Sequence, residues 1–168
     1  GNREVRVESL NVSSIVKGIA KTFVEMAKSR NITFLSKIPE QVMWNSDKGF
    51  LNTIIINLIS NAFKYTPDGQ SIKIEVDTSG ENMLTLRVAN EGSTIKEKDF
   101  QYIFNRYAIL DNFENQDEKN FSRNGLGLAI SYNMAKLLNG TLKVENTPDG
   151  WVMFTLTLPV MELTTGVS

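Results

Sequence analysis

At 168 residues, with 18 Lys and Arg against 19 Asp and Glu and 41% hydrophobic content, the chain reads as one globular domain spanning residues 1–168. Roughly two thirds of the extended surface of such a chain can be buried on folding, so a core needs neither disulfides nor a structural metal. A net charge of −1 supplies no field to draw in nucleic acid or anionic lipid, and the absence of Cys and His excludes thiol chemistry, an imidazole base and thiolate or imidazole metal sites. Any metal must be held by oxygen. No uncharged apolar run approaches the ~20 residues of a membrane span, and Gly1 to Glu8 lacks a signal-peptide core, which predicts an intracellular piece of something larger without direct membrane contact.

In chain order, Val5 to Val7 alternate as a strand does, and Val12, Ile15, Val16, Ile19, Phe23 and Met26 recur at helical spacing until Asn31. Ile32 to Lys37 and Val42 to Trp44 read as short strands separated by Pro39, and Asp47 stands where an N-cap would open the next helix. That helix, Phe50 to Phe63, is apolar on most of its surface yet contains Asn57 and Asn61. Thr66 to Gly69 form a turn, and Ile72 to Val76 and Leu84 to Val88 alternate as an antiparallel hairpin about Ser79 and Gly80. A short helix is expected around Glu97 to Phe104, followed by a polar stretch, Asp111 to Arg123, that is the best candidate for a mobile lid. Leu126 to Leu138 reads as a helix opened by glycines, and Leu142 to Val144 and Val152 to Leu158 as a closing hairpin around Pro148, Asp149 and Gly150. Hairpins outnumber crossover units, which favours a mixed sheet with helices on one face.

Three features carry chemistry. Asn57, Asn61, Lys64 and Tyr65 share one helix at spacings of four and three, so both amides and the ammonium lie on a common stripe. Amides on so oily a helix need partners: either a shared ligand such as magnesium on a phosphate, with Lys64 as a point charge, or neighbouring backbone inside the core. Asn124 to Leu128 places Gly125 and Gly127 before a helix, where backbone can approach an anion closely or simply form a loop. Asn90 to Ile95 ends a strand with an amide that can pair with adenine as Asn does in nucleic acid, or make an ordinary turn.

In that order the features resemble the ATP-binding catalytic domain of sensor histidine kinases, in the superfamily that also holds DNA gyrase, the Hsp90 chaperones and MutL. Asn57-Leu58-Ile59-Ser60-Asn61-Ala62-Phe63-Lys64-Tyr65-Thr66-Pro67 resembles the N box, Asn90 to Ile95 the first glycine box, Phe100 to Tyr107 the F box, and Gly125-Leu126-Gly127-Leu128 the second glycine box. The likeness covers roughly residues 10–160, including Gly140-Thr141 and Thr157-Leu158-Pro159.

The resemblance implies an α/β (α+β) two-layer sandwich: a mixed, largely antiparallel sheet, about three helices on one face, and a flexible ATP lid over about residues 105–124. It implies ATP and Mg2+ as cofactors, with Asn61 and Asn57 on the metal and Lys64 on phosphate as the catalytic set. Tyr65 would border the nucleotide and Asn90 read adenine beside Gly92, Thr94 and Ile95. Gly125, Leu126, Gly127 and Leu128 would meet the phosphates, with Arg106 and Arg123 approaching the terminal ones. The hydrolysing members resemble one another in carrying Glu four residues before the second Asn. Here that position is Asn57, which offers no base for water, so the implied reaction is γ-phosphoryl transfer to an imidazole.

With no His the chain cannot accept the phosphoryl group itself and would be inactive alone for autophosphorylation. The acceptor is expected on a dimerisation and histidine phosphotransfer hairpin of the same protein, with a response regulator receiver domain downstream. The domain would lie on the cytoplasmic side of a membrane-associated sensor. Departures from the family pattern are Asn90 for Asp, Thr94 for Gly, Arg123 for Gly, and Met153 where a hydroxyl is common. Losing the charge at Asn90 is expected to weaken adenine binding by about tenfold. These departures also leave a degenerate nucleotide-binding or scaffolding module as the alternative.

Overall fold

The computed structural model describes residues 4–92, 94–96, 98–99, 103–104 and 118–164, with backbone alone over 118–126. The first strand is β1 (Glu8–Asn11), a few residues beyond the expected Val5 to Val7. It pairs antiparallel with β3 (Met43–Ser46) in a separate two-stranded ribbon, Glu8 opposite Ser46 and Asn11 opposite Met43. Asn11 caps α1 (Val12–Lys21), its side chain accepting from the Ser14 N–H at 3.1 Å.

The single helix expected up to Asn31 is broken after α1. The Thr22 hydroxyl donates to Ile19 O at 2.6 Å, Phe23 N closes a tight turn on Ala20 O, and α2 (Val24–Ser29) follows. The break turns the Phe23 ring onto Phe63, with centroids 5.2 Å apart and planes at 15°. Asn31, at φ 54°, ends α2 as expected.

The main sheet runs β2-β4-β5-β7-β6, built from β2 (Thr33–Lys37), β4 (Ser71–Ser79), β5 (Met83–Glu91), β7 (Trp151–Pro159) and β6 (Thr141–Asn146). Among the described strands only β2 and β4 are parallel, and a parallel pair needs a crossover, which α3 (Lys48–Tyr65) provides. Period-two alternation sends Ile72, Ile74, Val76, Leu84, Leu86, Val88, Val152, Phe154, Leu156 and Leu158 to one buried face. Lys73, Glu75 and Arg87 occupy the other.

Helices cover the apolar face. Leu51, Ile54, Ile55, Leu58 and Ile59 of α3 are all fully buried, because α3 lies with the sheet on one side and α1 and α4 on the others. The last helix, α4 (Glu118–Leu137), starts eight residues before the expected Leu126, a correction taken up below. At its end Gly140 is required by space: a Cβ there would fall 2.2 Å from Thr157 O. The observed two-layer architecture, with a mostly antiparallel sheet and helices on one face, is the one expected. Half of the short helix expected at Glu97 to Phe104 lies outside the described residues, and Lys98 and Asp99 are in a 3₁₀ turn. Residues 105–117 of the expected lid lie outside them entirely.

Candidate functional site

The last two turns of α3 bring Asn57, Asn61, Lys64 and Tyr65 together by helical spacing alone. Asn61 is only 7% exposed, and its Oδ1 has no hydrogen-bond partner. Leaving a buried acceptor unmatched costs about 1–3 kcal/mol, which a ligand able to pair with this oxygen would offset. Among the described residues the hydroxyls of Ser13 and Ser46 share that state, but neither has a second amide one helical turn away. An amide oxygen is a fitting donor for a hard cation such as magnesium. Among the described residues no cluster of three or more His, Cys, Asp or Glu competes for that role.

Asn57 does a different job with its nitrogen. Nδ2 donates to Gly127 O at 3.2 Å and to Ser131 Oγ at 3.0 Å, fastening α4 to α3. Arg123, Gly125, Leu126, Gly127 and Leu128 therefore sit inside α4 rather than ahead of it. This corrects the expected helix opened by glycines: two glycines cost a helix only about 1 kcal/mol each, which packing of the following turns, with Leu128, Ala129 and Ser131 buried, can offset. In this arrangement the amides at 125–128 belong to the helical ladder instead of a free N-terminus. A Cβ on Gly127 would meet Asn57 Cγ at 3.6 Å, an ordinary contact, so space alone does not demand glycine there.

The first glycine box reaches the same region from β5. Asn90, 3% exposed, is in register with Ile72 and Val152, which puts it on the helix-covered face. Met153, the next residue on β7, pairs with Ala89 and faces the other way. Gly92 has φ 91°, and a Cβ on it would lie 2.9 Å from Pro67 Cδ, so the turn after α3 and the turn after β5 touch. Thr94 is exposed and Ile95 buried.

Two residues of this region had no signal in the sequence. Asn146, at the end of β6, holds both backbone groups of Ile95: its Oδ1 accepts from Ile95 N at 3.0 Å and its Nδ2 donates to Ile95 O at 2.7 Å. Arg30 grips the end of α3, donating to Phe63 O, to Thr66 O at 2.5 Å and to Asp68 Oδ1 at 2.7 Å. Their partners lie 51 and 33 to 38 positions away, beyond any local pattern. Tyr65 is buried, and Lys64 Nζ lies 5.9 Å from its ring centroid. Arg106 lies outside the described residues, as does the side chain of Arg123.

Residues 46–162 match the family model described as histidine kinase-, DNA gyrase B-, and HSP90-like ATPase. Histidine kinase P4 of Formosa agariphila is 31% identical over 152 residues, which is 89% of this chain and 11% of that protein, so the chain spans about a tenth of that relative's length. The catalytic domain of histidine kinase ThkA, in a nucleotide-free form, superposes with a TM-score of 0.79 at 22% identity over 94% of this chain and 99% of that one. ThkA is also similar in its complex with response regulator protein TrrA, with a TM-score of 0.77, 22% identity, and coverage of 94% and 42%. Full-length ShkA in complex with AMPPNP gives a TM-score of 0.77 at 16% identity, covering 98% of this chain and 33% of that one. Those structures speak for the fold, and the family match for kinship: this chain belongs to the histidine kinase-, DNA gyrase B- and HSP90-like ATPases, among relatives that are sensor histidine kinases.

Proposed function

We propose that this chain is the ATP-binding catalytic domain of a sensor histidine kinase, a single unit with its core at about residues 10–160. In this reading it directs the γ-phosphoryl group of magnesium-bound ATP onto a histidine of the dimerisation hairpin. The observation that carries it is the buried, unpartnered Oδ1 of Asn61, one turn from Asn57 on a helix that otherwise buries Leu51, Ile54, Ile55, Leu58 and Ile59.

Asn61, with Asn57 one turn earlier, would hold magnesium, which when bound neutralises charge on the phosphates. Lys64 supplies a fixed cation to the phosphate chain, and Tyr65 and Asn90 border the base, with Gly92, Thr94 and Ile95 framing it. Arg106 and Arg123 would supply charge to the terminal phosphates, with Gly125, Leu126, Gly127 and Leu128 of α4 beside them. An imidazole nitrogen attacks the γ-phosphorus in line, the bond to the bridging oxygen breaks, and ADP leaves. No carboxylate occupies the Asn57 position to take a proton from water, which disfavours hydrolysis.

With no histidine, the 168-residue chain offers no acceptor and is inactive alone for autophosphorylation. The receiver domain of a response regulator is the downstream partner in this reading, supported by the similarity to ThkA in its complex with TrrA. Among the described residues no helix is long and apolar enough to cross a membrane. In this reading the chain is a cytoplasmic domain of a membrane-associated sensor.

Titration calorimetry of the chain with ATP, with and without magnesium, tests the reading. Binding is expected to need the metal, and Asn61→Ala is expected to weaken it at least about tenfold while leaving the melting temperature unchanged or higher, since the unmatched acceptor is gone. A chain that shows no heat with ATP under either condition overturns the assignment.

A further inference from the structure

We infer that Arg30 is a positioning residue for the nucleotide site, aiming Lys64 and Tyr65 by gripping the carbonyls on either side of them. The inference rests on the proposed site and adds a residue to it that lies outside α3, just past the end of α2.

A helix leaves its last four carbonyls without intrahelical donors. At the end of α3, Ala62 O is taken by Thr66, whose N–H donates at 3.0 Å and whose hydroxyl donates at 2.5 Å. Phe63 O and Thr66 O are taken by the two terminal nitrogens of Arg30, and Arg30 Nε holds Asp68 Oδ1 at 2.7 Å. The backbone of Arg30 closes the ring in the opposite sense, its carbonyl accepting from Gly69 N at 3.2 Å. Residues 63–69 are thus wrapped around one planar, permanently charged fork.

Lys64 and Tyr65 are the two residues enclosed between the gripped carbonyls. Rotation of that turn is opposed from a second side, where the Phe63 ring stacks on Phe23 and meets Phe34 edge-on at 5.1 Å. The gripped turn also carries Pro67, against which Gly92 closes, so its position is passed on to the strand end that bears Asn90. A cation that merely complemented the helix dipole would need charge alone. Three acceptors facing three guanidinium nitrogens need the shape, which Lys lacks.

The test is calorimetric titration of the 168-residue chain with MgATP at a temperature where each variant's melting curve shows it folded. Arg30→Met is expected to weaken MgATP binding about tenfold and Arg30→Lys about threefold, because a displacement near 1 Å at a phosphate-binding cation is costly. In a Lys64→Met background, Arg30→Met is expected to add only about threefold, since one of the two residues it aims is gone. Where Arg30→Met does not fold, Arg30→Lys carries the same cycle. A chain that melts lower but binds MgATP as tightly, or a loss that persists in full without Lys64, overturns the inference and leaves Arg30 a helix cap. Failure of the unsubstituted chain to bind MgATP overturns the site reading itself, and this inference with it.

Discussion

The two ends of α3 are held in opposite ways. At the amino end, Asp47 is buried and accepts from Phe50 N at 3.0 Å with one oxygen and from Arg6 N at 2.8 Å with the other. The first of these bonds spans three residues, and the residues it steadies lie far along the helix from the two asparagines. At the carboxyl end, the carbonyls are held by Arg30 from the turn that follows α2, and the residues steadied are Lys64 and Tyr65 themselves. The bond from Phe50 N to Asp47 decides whether the helix starts; the fork of Arg30 decides where its functional turn points.

The largest effect that tests this contrast is at the amino end. Asp47→Ala removes both bonds and leaves two backbone donors to find water, which is expected to cost roughly 2–3 kcal/mol in urea unfolding. MgATP affinity, measured where the variant is fully folded, is expected to stay within about twofold. A tenfold weaker affinity under those conditions would show that the two ends are not separable and that the whole helix shifts as one piece.

A smaller change probes the other end. Thr66→Val keeps the shape of a side chain that is 1% exposed and removes the hydroxyl bond to Ala62 O, whose carbonyl still accepts from Thr66 N. The loss of stability is expected near 1 kcal/mol. MgATP affinity is nonetheless expected to fall about threefold, the reverse of the pattern at Asp47. Equal effects of both substitutions on affinity per kcal/mol of stability would erase the distinction.

Separation along the chain also explains what is legible in the sequence alone. The Asp47 cap, the long buried helix, the turn at Thr66 to Gly69 and both hairpins rest on patterns within a few residues, such as the alternation of Ile72, Ile74 and Val76, and each has its observed counterpart. The break between α1 and α2 was not legible, because Phe23 leaves the helical path to reach Phe63, forty positions on. The start of α4 at Glu118 was missed because its first turns carry little apolar periodicity and two glycines follow. Of the candidate site, the stripe of Asn57, Asn61, Lys64 and Tyr65 was visible as spacing. The docking of Asn57 on Gly127, the clip of Asn146 on Ile95 and the fork of Arg30 were not, since each joins segments that only the sheet order brings together.

The smallest effect separates the parts of that fork. Arg30 and Asp68 form an ion pair at 2.7 Å, but the Asp68 side chain is 72% exposed against 28% for Arg30, so water and salt screen it and the pair is worth roughly 0.2–1 kcal/mol. Asp68→Asn keeps an oxygen for Nε and is expected to shift the melting temperature by about three degrees or less and MgATP affinity by less than about twofold. The two carbonyls, fixed in a packed turn, are then sufficient to orient the guanidinium. A loss as large as that expected for Arg30→Met would reverse this order: the exposed carboxylate would be aiming the fork, and raising the salt concentration would weaken nucleotide binding in the unsubstituted chain by a comparable factor.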